Sequence, residues 1–178
     1  MCPPRVHVIG RKNSGKTTLI AELVRLLSDQ GLRVATIKHT HHAHELDVPG
    51  KDSHRHRTAG AAAVAIVARN MIATFRPRRE EPTDAVYRAL QSQFADCDVI
   101  LVEGDVRARA ARIEVWRPAS GEPPLAAQGV PVDLLVTDEP PAVDVPVLPR
   151  SDPAAVVSWI RRRLVRTDGV EGEPASEG

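Results

Sequence analysis

The chain has 178 residues, of which 42% are hydrophobic and 3% aromatic, and its 24 Lys and Arg nearly balance its 23 Asp and Glu. This length and apolar content predict one compact domain, and the balanced charge argues against a nucleic-acid partner. The sequence has no apolar run of the about 20 residues that a membrane span needs, and its N-terminus lacks a signal-peptide pattern. Two cysteines form no disulfide framework, which favours free thiols in a reducing cytoplasm. We therefore expect a cytoplasmic protein, and from its charge and apolar pattern we expect no nucleic-acid or membrane partner.

Strand and helix patterns alternate along the first hundred residues. Residues 6–9 predict a strand, residues 17–28 carry apolar side chains at helical spacing, and residues 34–39 predict a second strand. A strand–helix–strand unit of this length almost always joins parallel strands by a right-handed crossover. The remaining predicted elements are a hairpin at 61–68 and 71–75, a helix at 83–94 capped by Thr83, strands at 98–104, 113–116 and 134–137, a connector at 140–149, and a last helix capped by Asp152.

The segment GRKNSGKTTL, residues 10–19, follows the first predicted strand and opens the first predicted helix. It matches the pattern G-x-x-x-x-G-K-[ST], in which the lysine reaches the β- and γ-phosphates and the hydroxyl binds Mg²⁺. Glycines let main-chain N–H groups wrap a phosphate, and the helix N-terminus adds the positive end of its dipole. We therefore predict a nucleoside triphosphate site. Its predicted phosphate-binding residues are Gly10, Lys12, Asn13, Ser14, Gly15, Lys16, Thr17 and Thr18.

This motif and the alternating elements together predict an α/β fold. We expect a single-domain P-loop NTPase with a mostly parallel sheet flanked by helices, plus an antiparallel β extension at the predicted hairpin. The nucleotide-binding domain is predicted to span residues 1–166. The polar segment 167–178 is predicted to be a disordered C-terminal tail.

A P-loop site commonly has an acidic residue near the metal ion or the attacking water. The predicted strand at 98–104 offers Asp98 and Glu103. Ligands of parallel sheets bind at the carboxyl ends of the strands, and Asp98 lies about 17 Å before that end. We therefore predict that Glu103 serves the site and that Asp98 is a solvated residue at the strand start.

Residues 39–58 are polar and predict a long functional loop that carries most of the histidines of the chain. Three interpretations are open. The loop binds anions through its basic residues, with Asp47 and Asp52 available to hold Mg²⁺ or orient water; it is an inert solvated loop; or it binds a transition metal. The basic residues are Lys38, Lys51, Arg55 and Arg57, and the histidines are His39, His41, His42, His44, His54 and His56.

Five motifs, in the order GRKNSGKTTL, VATIKHTHH, DVPGKDSHRHRTAGA, DVILVEG and RIEVWR, resemble the molybdopterin-guanine dinucleotide biosynthesis protein B (MobB) family. The resemblance covers residues 5–117, and the stretch at 49–61 is far more specific than the P-loop. It implies a dimeric GTP-binding protein with weak GTPase activity. In this family the protein is thought to assist the guanylyltransferase that joins GMP to molybdopterin, a precursor of the molybdenum cofactor.

By motif position, the resemblance implies roles for particular residues. Lys16, Glu103 and Asp47 are the implied catalytic residues, and Thr17, Glu103 and Asp47 are the implied Mg²⁺ ligands. Asp52, Ser53 and Arg57 are implied to lie near the nucleotide. The family usually continues VEG with Phe-Lys, whereas this chain has Asp105-Val106, and Arg107 is one residue that could replace the lysine.

The base that the site reads is not determined by a motif, because the guanine-reading pattern N-K-x-D is absent from the sequence. Asp138, after the strand at 134–137, either accepts hydrogen bonds from guanine or belongs to an ordinary strand-end turn. A small-molecule kinase and a histidine-rich metallochaperone GTPase are the alternative functions. No arginine finger is identifiable within the chain, so a partner is expected to supply one. The strands at 71–75 and 112–116 are candidate dimer edges.

Overall fold

The computed structural model describes residues 2–40 and 42–167. They form two compact units: the first combines residues 2–40 with 87–167, and the second is residues 42–86. The strands are β1 (Arg5–Ile9), β2 (Val34–Lys38), β3 (Val64–Val67), β4 (Ile72–Phe75), β5 (Val99–Glu103), β6 (Ala111–Val115), β7 (Leu134–Val136) and β8 (Val147–Leu148). The α-helices are α1 (Lys16–Asp29), α2 (Asp52–Thr58), α3 (Thr83–Gln93) and α4 (Pro153–Thr167).

The first unit is built on a six-stranded sheet with the order β2-β5-β1-β6-β7-β8. Every neighbouring pair of strands is parallel. All carboxyl ends therefore lie at one edge of the sheet, which is where ligands of open parallel sheets bind. The predicted parallel sheet flanked by helices is confirmed.

The core of the first unit has two sides because successive strand residues point to opposite faces of the sheet. In β5, Val99 and Leu101 pack in the cluster that contains the buried residues of α1 and α4. Ile100 and Val102 pack on the other face with Tyr87 of α3. Both faces of β5 are covered, which explains its uninterrupted run of apolar residues.

The second unit contains α2 and an antiparallel hairpin. β3 and β4 pair from Val64 with Phe75 to Val67 with Ile72, and Ala68 donates its N–H to the main-chain oxygen of Met71 beyond them. This confirms the predicted antiparallel extension. Polar residues 69–70 form its turn.

Several predictions about local structure differ from what is observed. Residues 52–58 of the predicted loop form α2, and residues 147–148 of the predicted connector form β8. Thr83 is the first residue inside α3 rather than its cap, and its hydroxyl accepts a hydrogen bond from Arg78. The strand at 112–116 cannot be an open dimer edge, since β6 lies between β1 and β7.

The end of the described chain is the helix α4. Asp152 caps it as predicted, because its Oδ1 accepts the N–H of Ala155 at 3.0 Å. The helix includes Thr167, and the rest of the predicted tail lies outside the described residues. Within the described part of the chain, no helix has the length and apolar character of a membrane span.

Candidate nucleotide-binding site

The phosphate-binding loop joins the end of β1 to the start of α1. Gly10 and Gly15 have φ angles of +139° and +97°, which residues with side chains disfavour. Space also excludes a side chain at Gly10, because a Cβ there would lie 2.3 Å from the main-chain oxygen of Val115 in β6. Close packing against β6 therefore helps to shape the loop.

Lys16, the first residue of α1, turns its side chain back across this loop. Its ammonium group donates hydrogen bonds to the main-chain oxygens of Gly10, at 3.0 Å, and Arg11, at 2.6 Å. Burial lowers the pKa of Lys16 from its ordinary value, and the Glu103 carboxylate opposes this shift. The ammonium group is thus held at the N-terminus of α1, where its charge and the helix dipole attract the same anion.

Thr17 and Glu103 come together at the carboxyl edge of the sheet. β5 is the parallel neighbour of β1, in a register that pairs Val8 with Glu103. The Thr17 hydroxyl donates a hydrogen bond to Glu103 Oε1 at 2.9 Å. Hydroxyl and carboxylate oxygens are ligands that Mg²⁺ prefers, so these two side chains fit a magnesium site. Asp98 is exposed at the other end of β5, as predicted.

A cavity of about 460 Å³ opens over the loop. Its lining includes most of the predicted phosphate-binding residues together with Glu103, but Gly10 and Ser14 do not line it. Ser14 is instead buried within the loop, where its N–H donates to the Arg11 oxygen. The lining residues are Lys12, Asn13, Gly15, Lys16, Thr17, Thr18, Glu103 and Arg117.

Arg117 is the lining residue that the sequence interpretation missed as part of the site. It follows β6, whose carboxyl end lies beside that of β1 in the sheet. The signal in the sequence was its position directly after a predicted strand, because such positions in parallel sheets point to the ligand edge. Its guanidinium lies so close to Gly15 that a Cβ on Gly15 would be 2.9 Å from Arg117 Nη2.

The predicted site residues of the 39–58 segment belong to the second unit. Asp47 is buried there, and its Oδ1 accepts hydrogen bonds from the Ser53 hydroxyl at 2.9 Å and from the N–H of Val48. Arg57 forms an ion pair with Glu45 at 2.6 Å. The structure therefore brings Asp47 together with Ser53. Asp52 is exposed as the first residue of α2.

Asp105, the residue at which the chain departs from the motif that the resemblance implies, is fixed by a hydrogen-bond network. The Tyr87 hydroxyl donates to Asp105 Oδ2 at 2.9 Å, so the Nδ1–H of His39 donates to the hydroxyl oxygen at 3.0 Å. Asp105 also has a positive φ of 62°. Asp105 thus joins the turn after β5 to α3 and to the end of β2.

Asp138 is exposed just after β7 and accepts hydrogen bonds from the segment before α4. Its Oδ1 accepts hydrogen bonds from both the N–H and the hydroxyl of Ser151, each at 2.8 Å. These bonds lower the pKa of the Asp138 carboxyl. A contact from Asp138 to guanine stays a prediction. The histidine-rich segment offers no group of three or more metal-binding side chains among residues 2–40 and 42–167.

A β1–loop–α1 unit with a half-buried lysine across the loop, and an acid from the neighbouring parallel strand, define a protein of the P-loop NTPase class. The family model described as molybdopterin guanine dinucleotide synthesis protein B (MobB) matches residues 5–138. The chain is 34% identical over 160 residues to the molybdopterin-guanine dinucleotide biosynthesis adapter protein of Escherichia coli K12, covering 84% of this chain and 89% of that protein. The chain belongs to the MobB family.

Solved structures share this fold. A crystal structure of molybdopterin-guanine biosynthesis protein B superimposes with a TM-score of 0.69 at 28% identity and covers 90% of this chain and 99% of the other. Bacillus subtilis MobB gives a TM-score of 0.68 at 24% identity, with coverage of 90% and 97%. The hydrogenase maturation factor HypB of Archaeoglobus fulgidus, at 13% identity and a TM-score of 0.51 over 91% of this chain and 90% of its own, shares the fold.

Proposed function

We propose that this chain is a GTP-binding adapter protein with weak GTPase activity, which assists the guanylyltransferase that attaches GMP to molybdopterin. The observation that carries this proposal is a complete phosphate-binding loop, with Lys16 across it and Thr17 joined to Glu103, in a member of this family. The related Escherichia coli protein is named as an adapter in molybdopterin-guanine dinucleotide biosynthesis.

The charges of the site suit a nucleotide phosphate chain. Lys16 and the main-chain N–H groups at the start of α1 would neutralise phosphate oxygens. Thr17 and Glu103 would hold Mg²⁺, which would supply further positive charge to the phosphates. We propose Asp47 as a further acidic residue of the site, and Asp52, Ser53 and Arg57 as residues near the nucleotide, from their positions in the family motif.

An adapter of this kind would not need rapid GTP hydrolysis. We propose that the nucleotide sets the binding state of the protein, and that a homodimer engages the guanylyltransferase and the molybdenum cofactor precursor in the cytoplasm. Family membership does not favour the small-molecule kinase or the metallochaperone. The metal interpretation also lacks a three-residue ligand group in the described residues.

Calorimetric titration with GTP, GDP and ATP, each with Mg²⁺, tests the nucleotide. We expect clear preference for GTP, and loss of binding in Lys16→Ala with an unchanged melting temperature. Preference for ATP would contradict the proposal and favour a kinase. The adapter role is tested by the rate of GMP attachment by the purified guanylyltransferase, which wild-type protein should raise and Lys16→Ala should not. An equal rate with either protein would refute a nucleotide-dependent adapter.

A further inference from the structure

We infer that Arg117 binds the phosphate chain of the nucleotide from the β6 side of the loop, as an arginine supplied by the chain itself. The inference rests on the proposed nucleotide binding and adds a residue that the P-loop pattern does not contain. Arg117 lines the same cavity as Lys16 and Thr17. Its guanidinium lies against Gly15, immediately before the first residue of α1.

The guanidinium is available for a ligand. Arg117 is exposed, and its side chain makes no hydrogen bond or ion pair with the residues that the structure describes. Lys16, by contrast, donates to two main-chain oxygens, and Glu103 accepts from Thr17. Arg117 therefore brings a positive charge to the cavity that no described carboxylate neutralises. Its planar fork of N–H groups matches two phosphate oxygens at once.

The segment that carries Arg117 is anchored on both sides. We call residues 116–130 the β6 loop. The buried carboxylate of Glu114 in β6 accepts the N–H groups of Leu125, at 2.6 Å, and Ala126, at 2.9 Å. The indole N–H of Trp116 donates to the main-chain oxygen of Glu122 at 2.8 Å. The Trp116 bond constrains the start of the β6 loop, where Arg117 is placed, and the Glu114 bonds hold its later part.

Arg11 ties the β6 loop directly to the phosphate-binding loop. Its guanidinium forms an ion pair with Glu122 at 2.5 Å and donates a hydrogen bond to Gln128 Oε1 at 3.2 Å. The two loops are thus joined by contacts that need no ligand. The main chain that carries Arg117 is therefore ordered before a nucleotide binds, so binding a phosphate costs only side-chain freedom of Arg117, which favours affinity.

The test is calorimetry with inorganic tripolyphosphate, GTP and ATP, each with Mg²⁺, on wild-type protein, Arg117→Ala and Arg117→Lys. We expect Arg117→Ala to weaken all three affinities by about 10- to 100-fold, the effect of one charge-assisted contact. Arg117→Lys should recover part of the loss because it keeps the charge but not the fork. The matched control is Arg162→Ala, which removes an exposed arginine of α4 and should bind as wild type.

Each outcome separates this inference from the proposed function. Equal affinities of wild type and Arg117→Ala for tripolyphosphate would overturn the inference, even if GTP is preferred over ATP. A loss for GTP alone would also overturn it, because Arg117 would then act on the base. A loss for all three ligands, with GTP and ATP bound equally by wild type, would support the inference and refute guanine specificity. A wild-type protein that binds none of the three refutes both. Melting temperatures of all variants should equal that of wild type.

Discussion

The hydroxyl of Thr17 and the carboxylate of Glu103 lie in hydrogen-bond contact at 2.9 Å, although 86 positions separate them in the sequence. The contact follows from the parallel pairing of β1 with β5, since the helix that follows β1 starts beside the end of β5. A hydroxyl and a carboxylate in this arrangement are preassembled for one divalent cation.

Glu103→Gln should reduce the dependence of GTP affinity on Mg²⁺. Glutamine still accepts the Thr17 hydrogen bond, so the fold should be unchanged, but its neutral amide is a poorer Mg²⁺ ligand. We expect the gain in affinity on adding Mg²⁺ to fall by about tenfold, measured by calorimetry with and without the metal. Asp98→Asn, at the opposite end of β5, is the control and should keep the full gain. An unchanged Mg²⁺ effect in Glu103→Gln would remove Glu103 from the metal site.

Gly10→Ala should destabilise the fold by about 3 kcal/mol in the free energy of unfolding, measured with urea. The new Cβ would meet the Val115 oxygen at 2.3 Å, and φ is positive. Gly31→Ala is the matched control, because Gly31 also has positive φ but nothing within 4 Å of its Cβ position. It should cost about 1 kcal/mol, the conformational part alone. Equal losses of unfolding free energy in the two variants would show that β6 shifts to accommodate the new Cβ at little cost.

Glu114→Gln should weaken tripolyphosphate binding, although Glu114 does not line the cavity. The carboxylate accepts two main-chain N–H groups of the β6 loop, whereas an amide offers one oxygen and would set its NH₂ against the other donor. We expect a loss of about 1–3 kcal/mol in unfolding free energy, and a several-fold weaker affinity because the loop that carries Arg117 becomes less ordered. A stability loss with unchanged affinity would show that Arg117 is positioned independently of Glu114. Glu139→Gln, on an exposed turn, serves as the control.

His7 should make the protein acid-sensitive. It is fully buried in β1, where burial lowers its pKa from 6.5 to about 4, opposed by a hydrogen bond to the Gly104 oxygen. Between those two values His7 is protonated in the unfolded chain and neutral in the folded chain. The stability contributed by neutral His7 is therefore fully present above pH 6.5 and is lost as the pH drops toward 4. Urea unfolding should show a His7 contribution of about 2 kcal/mol lost between pH 7 and pH 5.

His7→Leu isolates this effect, because it removes the titrating group and keeps a similar volume. Its stability should change less than that of wild type between the two pH values. His56→Leu replaces an exposed histidine and should retain the wild-type pH dependence. Parallel pH dependence of wild type and His7→Leu would assign acid sensitivity to other groups.

The sequence pattern predicts those parts of the site that local rules control. Glu103 could be found because parallel strands bring their carboxyl ends to one edge. Arg117 also follows a predicted strand, but its closeness to Gly15 could not be predicted, because the contacts of Glu114 and Arg11 that order the β6 loop form only in the fold. The helix α2 was missed for a different reason. Its sequence DSHRHRT buries only Ser53, so it shows no apolar periodicity.

Strand β8 was not predicted, because its two residues are too few for an alternating pattern. The shortness of β8 also affects how the protein behaves in concentrated solution. β8 closes one side of the sheet and lies between Pro146 and Pro149, which have no N–H to donate. A strand from another molecule would find only Val147 and Leu148 to pair with there. This side of the sheet is therefore protected against edge-to-edge aggregation.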